Sequence, residues 1–168
     1  MSEPAVRGPL DHVLRHNSWA TIALLEFCRA LDPAMLEAQA VGTYGELYGT
    51  LQHLVGAEQA YVLPLTGELL GRPRIRKDQR HSLDDLIATA KAIGARALSV
   101  AAIDDVTRRI EMNEGRQSTV GVILAQLIHH GNEHRAQATT ILGANGIEPP
   151  PLSAWGYGRA VGISEAEE

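Results

Sequence analysis

Proline, glycine and short polar clusters divide this chain into four long stretches in which apolar residues recur every three to four positions, the spacing that lines one side of an α-helix. The first spans about Pro9 to Leu31, with Leu10, Leu14, Ile22, Leu24, Leu25 and Leu31 as its main apolar positions. It stops at Asp32-Pro33 because proline cannot continue a helix, and a short turn over Pro33 to Glu37 follows. The second is introduced by Thr43 with Glu46 three residues on, the spacing of a capping box. It runs through Leu47, Leu51, Leu54 and Val55 to about Leu63, before Pro64. The third has Ser82 as N-cap and Asp84 and Asp85 in the first turn, where negative charge favours the helix dipole. Leu83, Leu86, Ile87, Ala90, Ile93, Ala97 and Val100 form its stripe, and Gly94 weakens its middle. The fourth begins near Ser118, carries Val120, Ile123, Leu124, Leu127, Ile128, Ile141 and Leu142, and ends at Gly143 or at Asn145-Gly146.

The linkers give these helices an order in space. Antiparallel neighbours need only about two to eight connecting residues, whereas helices two and three are separated by roughly 18, which implies a crossover. Between helices three and four, Val106 to Met112 partly alternates in polarity and meets a turn signal at Asn113-Glu114-Gly115, the pattern of a small hairpin. After Pro149 the segment PPPLSAWGYGRA holds too much proline and glycine for another helix, and the chain ends in the acidic EAEE. At 168 residues the chain is expected to be a single all-α domain over 1–168. It is a four-helix bundle with a long crossover between helices two and three, and about 149–168 form a loosely ordered C-terminal tail.

Charge and composition remove several function classes. Asp plus Glu total 20 against 15 for Lys plus Arg, so the net field of −5 repels phosphate backbones. The one basic run, Arg72 to Arg80 (RPRIRKDQR), has no interleaved aromatic residues to stack on bases and reads as a solvated loop. The apolar runs fall short of the roughly 20 residues that a membrane helix needs, and the start MSEPAVRGPLDH lacks the features of a secretory signal. Those features, with a lone cysteine, Cys28, that has no internal disulfide partner and shares a stripe with Leu24 and Leu25, point to the cytoplasm, without nucleic-acid or membrane partners. A Gly-rich phosphate loop, a GxSxG elbow and a CxxC pair are all missing.

What remains is histidine, at positions 12, 16, 53, 81, 129, 130 and 134. With about 100° per residue, His130 and His134 fall on the core stripe of the fourth helix with Ile123, Leu127 and Ile141, while His129 falls on the opposite side. An i, i+4 pair stacks two imidazoles one turn apart, near enough for one metal ion to bridge. The alternative is that each ring is satisfied by a backbone carbonyl or a carboxylate across the bundle. A third ligand from another helix would complete a site. His53, midway along the second helix with Gly49, Gly56, Ala57 and Ala60 on its side, is the best candidate, although the leucines mark another face and periodicity leaves its direction open. His12 and His16 form a competing HxxxH opposite their helix's leucine stripe, and His81 reads as a surface histidine.

Several segments together resemble the DinB superfamily. Asn17-Ser18-Trp19-Ala20 is similar to its N-x-W-A; Gly45-Glu46-Leu47 through His53-Leu54-Val55-Gly56-Ala57-Glu58 is similar to its second-helix histidine segment. HHGNEHRAQ matches its histidine, three residues, then H-R-G-Q, with Ala136 in place of the usual glycine. The resemblance implies a four-helix bundle, a frequent homodimer, and a metal triad on His53, His130 and His134.

Three neutral imidazoles leave a coordination position for a water or a substrate atom, the arrangement of a working site. Zinc is the first expectation, with nickel, iron or manganese also compatible with imidazole. Relatives implied by the resemblance include transferases and isomerases that use bacillithiol or mycothiol. The expected function is therefore a metal-dependent transferase that activates a low-molecular-weight thiol for attack on a small electrophilic substrate. The alternatives are metal-dependent hydrolysis and a non-catalytic, stress-related ligand-binding or interaction bundle. Glu58 and Glu133 are candidates to orient a ligand or act as a base, or are plain helix-surface carboxylates. Arg135 is a candidate to hold a substrate carboxylate, or is a helix-surface charge.

Overall fold

Burying four apolar stripes against one another produces the observed architecture. A computed structural model describes residues 8–71, 73–112 and 115–164; the closing EAEE and two residues of the expected turn, Asn113 and Glu114, lie outside them. The elements run α1 (Pro9–Arg29), a 3-10 turn (Pro33–Glu37), α2 (Leu47–Thr66), α3 (Leu83–Ile103), β1 (Arg109–Glu111), β2 (Gln117–Thr119), α4 (Val120–Ala144) and α5 (Ala154–Ala160). The expected all-α bundle is the fold. α1 packs chiefly on α3, and α2 on α4 and α3. Leu14, Leu24, Leu51, Leu86, Ile93, Leu124 and Leu127 fill the space between them. The hairpin also forms: Ile110 pairs with Ser118 and Glu111 with Gln117 in an antiparallel ribbon.

α3 follows its signals closely, with a reciprocal capping box between Ser82 and Asp85. It is long and apolar enough to cross a membrane by length and composition, contrary to the expectation for every run. Its buried residues pack on α1 and α2, as those of a core helix do. Gly94 has a role beyond weakening the helix: a methyl there would lie 2.6 Å from Ser18 Cβ, so glycine is what lets α1 and α3 approach. Cys28 is buried, and burial pushes its thiol up to about 12, the inert form expected of a packing cysteine.

Four expectations need correction. Thr43 forms no capping box; its hydroxyl donates to the carbonyls of Ala40 and Gly45, and Glu46 is the N-cap of α2, without a side-chain cap. α2 does not stop at Pro64 but runs one further turn, because Leu65 is buried and Gly67, at φ 68°, closes the helix with its N–H on Leu63 O at 2.8 Å. A helix does form after Pro149. Ser153 caps α5 through Gly156 N–H, and Tyr157 is buried against His16 and Trp19, so packing overrides the poor propensity of AWGYGRA. His81 is buried, and its Nε2 accepts the Arg76 N–H at 3.1 Å.

The crossover is tied to α2 by polar side chains. Gln59 donates to Leu70 O and accepts the Ile75 N–H, Gln52 donates to Arg76 O and Gln79 O, and the Tyr48 hydroxyl donates to His81 O. Ile75 is buried while Arg76 to Arg80 stay exposed. A solvated basic loop, as expected, is thereby held beside the N-terminal half of α2.

Candidate metal centre

Helical pitch stacks His130 and His134 one turn apart on α4, both 6% exposed, and the packing of α2 on α4 brings His53 to meet them. One ligand atom from each of the three rings falls within 4.8 Å of the others. His130 Nε2 and His53 Nε2 are 3.2 Å apart, against about 3.3 Å for two nitrogens on one tetrahedral zinc with Zn–N near 2.0–2.1 Å. His53 therefore does turn inward, from a helix whose leucines lie elsewhere.

The surroundings suit ligands more than structural histidines. None of the three rings bonds to a backbone carbonyl or a carboxylate among the described residues, and His130 Nδ1 is buried with no hydrogen-bond partner there. Burial, reinforced by the neighbouring His134 and His53, pushes His130 down to about 4, so its ring is neutral at physiological pH. Burial, then the charges of His134 and Lys77, lowers His53 as well. His134 Nδ1 lies 3.0 Å from Gln137 Oε1; donation there places the N–H on Nδ1 and leaves Nε2 its lone pair.

Two supporting residues escaped the sequence reading. Gln137 was visible only as part of a motif, although i, i+3 spacing from His134 on a helix was a usable signal. Tyr44 carried no signal at all. It arrives from the loop before α2, stacks on His53 at 4.1 Å between centroids, meets His134 edge-on at 5.4 Å and donates its N–H to Gln137 Oε1 at 3.2 Å.

The other named residues fall elsewhere. Glu133 is exposed, and its carboxylate lies 4.0 Å from exposed His129. Glu58 and Arg135 are buried, which rules out a surface position for either. Glu58 accepts from Asn17 Nδ2 at 3.1 Å; Arg135 donates to Thr21 Oγ1 at 2.8 Å, Asn132 Oδ1 at 2.6 Å and Asn17 O at 3.3 Å. This polar cluster joins α1, α2 and α4 around Gly131, where a Cβ would lie 2.4 Å from Asn17 Oδ1 and 3.0 Å from Glu58 Oε1. His16 Nε2 is spent on Leu152 O at 2.8 Å, and among the described residues His12 and His16 join no three-ligand group.

Burial raises the Glu58 carboxyl to about 7, against the opposing pull of Asn17 and Arg135. With its folded value raised above the ordinary 4.5 of a glutamate, Glu58 contributes stability that is present below pH 4.5 and lost as pH rises through 7. Glu58→Gln is expected to remove that dependence. The variant should match the parent in urea unfolding near pH 4.5 and exceed it by about 2 kcal/mol at pH 8. Parallel pH–stability curves for the two proteins would contradict a buried, titrating Glu58.

A cleft of about 520 Å³ opens beside the triad, with His53, Tyr44 and Tyr48 on one side and the crossover residues 75–80 on the other. The basic arm contributes Arg76, Lys77 and Arg80 to it.

Residues 1–165 match the model of the DinB family. A crystal structure of a DinB-like protein from Bacillus cereus ATCC 10987 aligns with a TM-score of 0.64, covering 82% of this chain and 91% of that one, at 17% sequence identity; the likeness is one of fold. No curated protein matches the chain.

Proposed function

The chain belongs to the DinB family, and from that premise we propose that it is a divalent-metal enzyme that activates a low-molecular-weight thiol, of the bacillithiol or mycothiol type, for transfer to a small electrophile. The observation that carries this reading is that His53 belongs both to the three-histidine cluster and to the wall of the cleft, so ligands and substrate space share a residue. A divalent cation, zinc before nickel, iron or manganese, supplies positive charge that favours the deprotonated form of a thiol near neutral pH.

His53, His130 and His134 would hold the ion, kept neutral by burial at the first two and oriented through Gln137 at the third. Tyr44 fixes the His53 ring by stacking on it. The thiol releases its proton to solvent in the cleft, sulfur bonds to the electrophilic carbon, and the leaving group departs with the electrons of its former bond. Among the described residues no hydrogen bond or ion pair joins the Glu58, Arg135 or Glu133 side chain to a triad ring, and the buried pair supports the helices that carry it.

The test is product analysis with metal-reconstituted protein, bacillithiol, mycothiol or glutathione, and a panel of electrophiles. A metal-dependent thioether product is the expected result. Water incorporation without thiol dependence would replace transfer by hydrolysis, and tight ligand retention without turnover would make the protein a binding module.

A further inference from the structure

The basic run is the sequence feature that the proposed chemistry leaves unused. In a chain of net charge −5, residues 72–80 carry five cations against one carboxylate, Asp78. Solvation explains their exposure but not their placement: Gln52, Gln59 and buried Ile75 fix this arm along one side of the cleft that His53 borders.

The three cations in the wall differ in what they already hold. Arg76 is paired with Asp78 at 3.1 Å. Arg80 is paired with Glu37 at 2.9 Å and lies 4.0 Å over the Tyr48 ring. Lys77 has no carboxylate partner among the described residues, and it lines the same cleft as His53. With Arg76 matched by Asp78 and Arg80 by Glu37, Lys77 is the one cation of this wall without an ion pair among the described residues. Tyr44, Tyr48 and Ile75 supply its apolar surface.

We propose that this cleft binds small organic carboxylates, with the Lys77 ammonium pairing to the carboxylate and the tyrosines covering the apolar body beside His53. The volume suits a single small molecule, since ligand sites of this kind run from about 300 to 1,000 Å³. A single negative charge matches the single uncommitted cation. A phosphate dianion would call for further free donors, and both arginines are engaged. The inference deepens the reading of the site as an enzyme centre by naming the substrate class.

The probes are 4-phenylbutyrate, its neutral amide and phenyl phosphate, titrated by calorimetry or NMR into the full chain, both zinc-loaded and metal-free. The acid should bind about fivefold more tightly than the amide, the ratio expected of one partly exposed ion pair. Lys77→Gln should bring the acid to the level of the amide and leave the amide unchanged, and Lys77→Arg should retain the preference. Lys77 is exposed, so folding is not at issue in either variant. Lysine dependence is expected with and without metal, so a chain that took up no metal would sink the enzymatic reading while still displaying it. Equal affinity for acid and amide, an acid affinity unaltered by Lys77→Gln, a preference for phenyl phosphate, or no saturable binding of the acid would each overturn the inference.

Discussion

His130→Ala is expected to release the metal, turning a protein with one ion per chain into one with none after desalting. The ring is buried between His53 and His134 with its Nε2 3.2 Å from His53 Nε2, and alanine leaves two imidazoles where firm zinc binding takes at least three protein ligands. His53→Ala and His134→Ala should behave alike, each weakening affinity by more than about 100-fold, because even the loss of an orienting partner costs about 10- to 100-fold. Gln137→Leu should fall in that lower range, since it removes the acceptor at His134 Nδ1 and keeps all three ligands. Elemental analysis and competition with a chromophoric chelator measure both effects. Full metal content in any of the three alanine variants would disprove that ligand set.

Arg135→Ala should be the most destabilising change among the named site candidates, although the guanidinium makes its hydrogen bonds away from the triad rings. Its guanidinium is 4% exposed and donates to Thr21, Asn132 and the Asn17 carbonyl. Burial lowers its pKa to about 10, partly offset by Glu58, and it stays charged at neutral pH. Truncation strands buried acceptors on α1 and removes the cation near Glu58, a loss of about 3 kcal/mol. For a chain of this length that is a fall of roughly 6 to 12 °C in Tm. Calorimetry with metal removed measures it; a shift of less than about 2 °C would mean that the cluster does not hold α1 to α4.

Most of the fold was legible because its signals are local. The capping residues of α3, the stripes of α1 and α4 and the length of the crossover all report on backbone and packing within one helix turn or one linker. The Thr43 capping box is lost to local bonds with Ala40 and Gly45, whereas the ends of α2 and α5 are set by contacts between distant segments. Pro64 is carried inside α2 because Leu65 has core to bury in, and AWGYGRA becomes helical because Tyr157 finds His16 and Trp19 more than 130 residues away in sequence. Glu58 and Arg135 could not be assigned from helical spacing, since what buries them is Asn17 and Thr21 of another helix.

The candidate site divides along the same line. Sequence alone determined that His130 and His134 share the core face of one helix, because that follows from 3.6 residues per turn and needs no partner. Only the tertiary structure decided that His53 turns to meet them, that Tyr44 and Gln137 brace the rings, and that a basic arm borders the cleft beside them. Those positions depend on how α2 packs against α4 and on where Gln52 and Gln59 anchor the crossover, interactions between residues that no local periodicity connects.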